Sequence, residues 1–267
     1  MIAGVVPQIL SGLLCATAID SLGARRLLVA GGGTGGHLFP GITIAEEFIS
    51  RHQQNRVLFV STGNQFEQNT LAQLGYPLKT ISVAGLKGQG LWKKFKALSI
   101  VPVGVWQSMA ILKSFKPDLV LGVGSYAAGP MVLAAWLTRI PVVLHEQNIL
   151  PGITNRVLSR FARRIYVSFE NTSGGFAPDK VQVTGNPVRK EILQTAEAHH
   201  PNHGSAPSAD SPIKLFILGG SQGAHAINMA MKDAASELRS VTDLQVLHQT
   251  GLFVDTLRFG LNAILDA

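Results

Sequence analysis

Cysteine is almost absent: Cys15 is the single one in 267 residues. Neither an internal disulfide framework nor a cysteine-based metal cluster can be built from it, and this suits a reducing compartment. Charge is sparse as well. Asp, Glu, Lys and Arg make up 15% of the chain, and acidic residues are the scarcer kind, 16 against 23 basic, giving a formal charge of +7. That balance admits nucleic acid, an anionic membrane surface or an anionic substrate as a partner. Zinc-finger spacing, an RNA-binding signature and a long basic tail are all missing, so no nucleic acid is expected. Long apolar runs are missing after residue 24. The one before it, Ile2 to Ile19, is interrupted by Pro7, Gln8 and Ser11 and is marginal for a membrane span. No Lys or Arg precedes it, as a secretory signal would need, although Ala16-Thr17-Ala18 imitates a cleavage site. Residues 1–24 are therefore read as an apolar N-terminal extension, with a poorly ordered segment, a membrane-touching helix and a signal sequence as its three readings.

What is present is apolar and periodic. The apolar fraction of 46% is enough for real cores, and the length suggests about two domains. From Arg25 onward, short apolar runs alternate with stretches of helical periodicity. Strands are expected at 27–30, 57–61, 79–83, 119–123, 142–145, 165–167 and 181–184. Helices are expected at 41–51, 65–74, 93–114 with a disturbance at Pro102, 129–138 and 155–162. Residues 191–212 read as a linker, since they contain three prolines and His199-His200-Pro201-Asn202-His203. The three histidines have no carboxylate or Cys at ligand spacing, so no metal site is expected there. The pattern then restarts with a strand at 214–218, a helix at 224–238 and a strand at 244–249. Alternating strands and helices imply α/β architecture with parallel, doubly wound sheets.

Two glycine-rich turns stand between strand and helix. The first is Gly31-Gly32-Gly33-Thr34-Gly35-Gly36-His37 and the second is Gly219-Gly220-Ser221-Gln222-Gly223. Such turns let backbone N–H groups and a helix N-terminus approach a phosphate. Gly31, Gly33 and Gly36 satisfy the dinucleotide spacing, but the second strand ends Phe59-Val60-Ser61-Thr62-Gly63. The carboxylate that would grip ribose hydroxyls is missing. A phosphate- or sugar-binding turn fits better than a dinucleotide site.

Ligands of open α/β sheets sit beyond the carboxyl ends of the strands. Gly122-Val123-Gly124-Ser125-Tyr126 and His145-Glu146-Gln147-Asn148 occupy such positions, as does the first glycine turn. If their strands are adjacent, His37, Tyr126, His145, Glu146, Gln147 and Asn148 share one rim, with donors and acceptors suited to a polyhydroxylated substrate. An imidazole titrates near neutrality, which makes His37 a candidate general base. His145 has two open readings, a functional one and a structural one closing its strand. Arg189, after Gly185-Asn186-Pro187-Val188, could clamp a diphosphate, or be a solvated surface arginine.

Taken in order, these motifs resemble one family. Gly31–His37 with Leu38-Phe39-Pro40-Gly41, Gly124-Ser125-Tyr126 with Gly129-Pro130, and Val142-Val143-Leu144-His145-Glu146-Gln147-Asn148 are similar to the MurG family of glycosyltransferases of peptidoglycan synthesis. Gly185–Arg189, Gly219–Ala224 and His248-Gln249-Thr250-Gly251 continue the same order. The resemblance implies a GT-B fold of two Rossmann-like domains: residues 25–190 on the acceptor and membrane side, and 213–267 on the donor side. It implies an inverting transfer of GlcNAc from UDP-GlcNAc to the C4 hydroxyl of undecaprenyl-diphosphate-linked MurNAc-pentapeptide, with no metal or other cofactor. It places Thr34, Gly35 and Gly36 at the donor sugar and diphosphate, and makes His37 the base. Asn148 falls at the donor sugar, Arg189 at the phosphates, Ser221 at the α-phosphate, and Tyr126 and Glu146 near the acceptor. Residues 87–106 mix Leu91, Trp92, Phe95, Leu98 and Trp106 with Lys87, Lys93, Lys94 and Lys96. With a lipid acceptor implied, they read as an interfacial face, peripheral on the cytoplasmic side of an anionic membrane.

Two features depart from the family pattern. Residues 1–24 are longer and more apolar than it usually has. After Gly251 the pattern calls for roughly another half-domain, so the second domain is expected to be incomplete and turnover by this chain is left open. The alternatives are a catalytically incomplete binding module, a sugar-nucleotide epimerase of the same fold, and a dehydrogenase.

Overall fold

Leu27, Leu28, Val29 and Ala30 are all fully buried, which a strand achieves in the middle of a sheet covered on both faces. The computed structural model describes residues 24–83, 91–172, 175–198, 212–220, 223–241 and 243–250, with backbone alone at 91–101 and 196–198. The chain divides into two units, 1–195 and 196–267. The first holds seven strands: β1 (Arg26–Gly31), β2 (Arg56–Ser61), β3 (Leu78–Thr80), β4 (Leu119–Gly124), β5 (Val142–Glu146), β6 (Arg164–Val167) and β7 (Val181–Val183). They form one sheet in the order β3-β2-β1-β4-β5-β6-β7, with every pairing parallel. Crossover helices connect them: α1 (Gly35–Arg51), α2 (Gln65–Gln73), α3 (Leu91–Phe115), α4 (Ala128–Leu137) and α5 (Ile153–Leu158).

Alternate residues of the central strands feed two separate cores, as the two-residue period of a strand requires. Leu27, Val29, Val57, Phe59, Leu121 and Val123 pack with Leu38, Ile42, Ala45 and Phe48 of α1 and Leu71 of α2. Leu28, Ala30, Leu58, Val60, Val120 and Leu144 pack with Met131, Ala134 and Ala135 of α4 and Leu112 of α3. Each large side chain so buried stabilises the fold by about 1.5–3 kcal/mol. Gly41 brings α1 tight against β1, since a Cβ there would stand 3.0 Å from a Val29 methyl.

Several boundaries depart from the sequence expectation, each for a local reason. Helix α1 begins at Gly35 rather than Gly41, running through Pro40. Thr34 is extended and its carbonyl accepts from Leu38 at 3.0 Å. Pro40 then forfeits only the bond to Gly36. Pro102 likewise leaves α3 continuous. Its carboxy-terminal half packs on α4, where Gly104 lets the helix approach Pro130. Strand β3 stops at Thr80 because Ser82 N–H donates instead to Gln107 Oε1 of α3 at 2.7 Å. Helix α5 covers Ile153–Leu158 instead of 155–162. Ser159 turns its hydroxyl back onto the Arg156 carbonyl at 2.7 Å, a bond that competes with helix continuation. The first part of the expected linker is helical: α6 spans Lys190–Ala198, a run of good helix formers that ends before Pro201. The extension at 1–24 and the His-containing stretch of the linker lie outside the described residues, apart from Ala24, and so do Lys87 and the side chains at 91–101 of the expected interfacial face.

The second unit is a strand–helix–strand element. Strands β8 (Ile213–Leu218) and β9 (Leu244–Gln249) pair in parallel, joined by helix α7 (His225–Leu238). No residue of β8 or α7 is buried among the described residues. Residues 251–267 lie outside them.

Candidate active site

The strand order reverses between β1 and β4: the chain moves outward from β1 through β2 to β3, then returns to β4 on the other side. The loops leaving β1 and β4 therefore diverge to opposite faces and leave a crevice between them, where ligands of such sheets bind. Because β4 also pairs with β5, the three loops expected to share a rim do leave three adjacent strands.

The first loop is Gly31 to Thr34, followed by the first helical turn Gly35-Gly36-His37. Gly31 has φ +124° and Gly32 φ +148°. A Cβ at Gly31 would strike the Gly124 carbonyl oxygen, and one at Gly32 the Glu67 carboxylate. Glycine is thus required twice by close approach. The N–H groups of Gly35 and Gly36 belong to the unpaired first turn of α1, and no acidic side chain occupies that turn. Such a terminus favours an anion.

The loop is held from below. Helix α2 opens with a capping box, in which Asn64 Oδ1 accepts from Glu67 N–H and Glu67 Oε2 accepts from Asn64 N–H, both at 2.9 Å. The remaining oxygen, Glu67 Oε1, accepts Gly33 N–H at 2.6 Å, and Asn64 Nδ2 donates to the Gly33 carbonyl at 3.1 Å. Glu67 is fully buried. Neither Asn64 nor Glu67 was among the candidates from sequence. The signal was there in the spacing Asn64-Gln65-Phe66-Glu67, which marks a helix start, but not in anything that linked it to Gly33.

His37 sits on α1 with its ring against the bare backbone of Gly124, where a Cβ would be 3.0 Å from its Nδ1 and Cε1. Its Nδ1 is 3.1 Å from Gln147 Oε1. Gln147 Nε2 donates to the Val123 carbonyl at 3.2 Å and faces His145 Nδ1 at 3.1 Å. His145 is fully buried in β5, with Nε2 3.5 Å from the Gly185 carbonyl oxygen. Burial pushes its pKa down to about 4, with nearby His37 acting in the same direction against the Gly185 bond. It is a neutral, internal side chain at neutral pH.

The other rim residues differ in exposure. Tyr126 is 40% exposed and follows Ser125, which holds φ +71°, a costly conformation for a residue with a side chain. Glu146 is 1% exposed. Its Oε1 accepts from Asn148 N–H and Nδ2, both at 3.0 Å, and its Oε2 from Asn155 Nδ2 at 2.9 Å and Gly152 N–H at 3.2 Å. The carboxylate is spent on shaping the 147–152 loop. Asn148, whose Nδ2 is turned to Glu146, is exposed and keeps its Oδ1 for an outside donor.

Arg189 lies over the Phe39 ring, 4.6 Å from its centroid, and neighbouring Lys190 pairs with Glu47 at 3.4 Å. Both contacts join the stretch after β7 to α1. In the second unit, Gly223 N–H bonds the Gly220 carbonyl at 2.9 Å, and both glycines have positive φ. Ser221 lies outside the described residues.

Comparison with known proteins agrees with this architecture. Residues 27–167 match the glycosyltransferase family 28 N-terminal domain and residues 214–256 its C-terminal domain. A curated relative from Trichlorobacter lovleyi, a UDP-N-acetylglucosamine–N-acetylmuramyl-(pentapeptide) pyrophosphoryl-undecaprenol N-acetylglucosamine transferase, is 47% identical over 238 residues, covering 85% of this chain and 62% of its own. The chain thus spans about three fifths of the length of the curated relatives it matches. The crystal structure of Acinetobacter baumannii MurG superposes with a TM-score of 0.59 at 31% identity, over 86% of this chain and 59% of that one. A Neisseria meningitidis UDP-GlcNAc 2-epimerase superposes at 0.53 with 17% identity, over 85% of this chain and 66% of that one, and shows a shared fold alone. Two domain matches in order, over a sheet whose reversal point carries the glycine loop and His37, place the chain in glycosyltransferase family 28.

Proposed function

We propose that this chain carries the acceptor-side machinery of an inverting N-acetylglucosaminyltransferase. It would move GlcNAc from UDP-GlcNAc to the C4 hydroxyl of an undecaprenyl-diphosphate-linked MurNAc-pentapeptide. The observation that carries this reading is His37, set at the strand-order reversal with Tyr126 and Asn148 on the adjoining loops. An imidazole there can take the proton of an attacking hydroxyl. The free N–H groups of Gly35 and Gly36, beside Thr34, suit the donor sugar and diphosphate. Asn148 Oδ1 suits a sugar hydroxyl, Tyr126 the acceptor, and Glu146 acts on both through the loop it holds. Arg189 would meet the charge of the departing UDP.

A lipid-linked acceptor calls for membrane contact. Trp106 of α3, Trp136 and Leu137 of α4, Leu150 in the loop before α5 and Ile153 at its start are all exposed. Those helices pack side by side, α3 on α4 and α4 on α5. Arg139, Arg156 and Arg160 are exposed on the same elements or beside them. Apolar side chains mixed with cations favour an anionic interface. No helix among the described residues is long and apolar enough to cross a membrane, and attachment would be peripheral, on the cytoplasmic face.

Transfer of radiolabelled GlcNAc to a lipid-linked acceptor analogue tests the reading. His37→Ala should lower turnover by about 100- to 10,000-fold while UDP-GlcNAc affinity stays close to wild type. Near-normal turnover in that variant would sink the base assignment. Release of an epimerised sugar with free UDP would favour the epimerase reading instead.

A further inference from the structure

Three contacts link His37 to the Gly185 carbonyl through Gln147 and His145, and a fourth ties Gln147 to the Val123 carbonyl. Two of them end on carbonyl oxygens, which only accept. That requirement sets the direction of the rest. The Val123 carbonyl needs an N–H, so Gln147 must turn its NH2 group toward it. The second N–H of that group then donates to His145 Nδ1. The Gly185 carbonyl needs a proton on His145 Nε2, and that tautomer is the one whose Nδ1 can accept. With its NH2 so used, Gln147 has only its oxygen for His37, and His37 must carry its proton on Nδ1.

We propose that Gln147 and His145 are positioning residues that hold His37 in its Nδ1–H form and so make Nε2 the nitrogen that receives the acceptor proton. The proposal rests on the reading of His37 as the base. In the transfer, the acceptor C4 oxygen bonds to C1 of GlcNAc as the bond from C1 to the diphosphate oxygen breaks. The hydroxyl proton passes to His37 Nε2, and UDP leaves with the bonding pair. Throughout, Nδ1–H still donates to Gln147 Oε1, so the ring does not turn as it becomes charged. His145 suits its part, because a fully buried imidazole held neutral at neutral pH remains an acceptor at Nδ1. Gly124 completes the frame. Its missing side chain gives the His37 ring a flat seat that a Cβ would occupy.

Long-range proton–nitrogen NMR on the intact chain, labelled with 15N-histidine and recorded above the histidine titrations, reads the tautomer directly. Wild type should show His37 as Nδ1–H and His145 as Nε2–H. Gln147→Leu should release His37 toward the Nε2–H form that an unconstrained imidazole favours. Gln147→Glu keeps an acceptor at the same place and should retain Nδ1–H. Circular dichroism establishes that each variant is folded. If Gln147→Leu does not fold, wild type and Gln147→Glu decide. His37 found as Nε2–H in wild type, or unmoved in a folded Gln147→Leu protein, overturns the proposal. In the transfer assay Gln147→Leu should lower kcat about 10-fold or more, up to the ~10,000-fold ceiling of removing a general base outright, with KM for UDP-GlcNAc unchanged. Normal turnover in His37→Ala would fail the base reading while leaving the tautomer result intact. An Nε2–H wild type with an inactive His37→Ala would fail only the relay.

Discussion

Glu67 Oε1 accepts the Gly33 N–H at 2.6 Å, joining residues 34 positions apart. One buried carboxylate thereby serves two purposes. It closes the capping box of α2 and fixes the backbone of the loop that precedes His37. A loop of consecutive glycines has more conformational freedom to lose than any other sequence, and this anchor is what confines it.

Replacing Glu67 should therefore cost stability and order together. Glu67→Gln keeps one acceptor oxygen but turns an NH2 group toward a backbone N–H. We expect a loss of about 1–3 kcal/mol, the usual cost of a buried polar group left unsatisfied, measured by urea unfolding. Hydrogen exchange at Gly33 should accelerate in the same variant. An unchanged urea midpoint with slow exchange at Gly33 would show that the loop is held by something else.

Gly31 and Gly75 offer a paired comparison. Both have positive φ, but a Cβ at Gly31 collides with the Gly124 carbonyl, whereas a Cβ at Gly75 meets nothing within 4 Å. Gly75→Ala should lose only the conformational term, about 1–2 kcal/mol. Gly31→Ala adds overpacking of about 1–3 kcal/mol. Thermal unfolding of the two variants should rank them in that order, and equal losses would refute the steric argument.

His145 gives stability a pH dependence with a definite sign. Its folded pKa is lowered from 6.5 to about 4 by burial. The unfolded chain therefore takes up a proton first, and this group's contribution is complete above pH 6.5 and is lost as pH falls through about 4. The slope in that window should approach about 1.4 kcal/mol per pH unit from this residue alone. Denaturant unfolding between those limits, with and without His145→Gln, should show the slope fall by roughly that amount. The same slope in both proteins would remove His145 as its source.

Membrane attachment is expected to depend on the exposed apolar side chains as well as on charge. Replacing Trp106, Leu150 and Ile153 together by Ser should reduce flotation with vesicles containing anionic lipid. Raising ionic strength should weaken what remains, since surface charges are screened. Flotation indifferent to both the substitutions and the anionic lipid would count against the proposal.

Much of the fold was legible in the chain because its cues are local. Leu27 to Ala30 and Val142 to Leu144 are apolar runs too short for helices, and Ile42, Ala45 and Phe48 repeat with helical spacing. The boundaries that moved did so through distant partners. Gln107 captured Ser82 and ended β3 early, and Thr34 accepted from Leu38 and started α1 before Pro40. The site divides in the same way. His37, Tyr126, Gln147 and Asn148 could be named from their places after strands. Glu67 was overlooked because nothing in its own segment points to Gly33, and Glu146 proved to be occupied by Asn148, Gly152 and Asn155.

By itself the sequence determined the alternation of strands and helices, the two glycine turns and the polar residues at strand ends. Hydrophobic periodicity and the steric freedom of glycine are properties of a short segment. Only the tertiary structure decided that β1, β4 and β5 are neighbours, so that three loops meet around His37. It alone decided that His145 is buried and Asn148 exposed, although they stand three residues apart. Strand order and burial depend on which elements pack together across the whole chain, and an apolar run looks the same beside any neighbour.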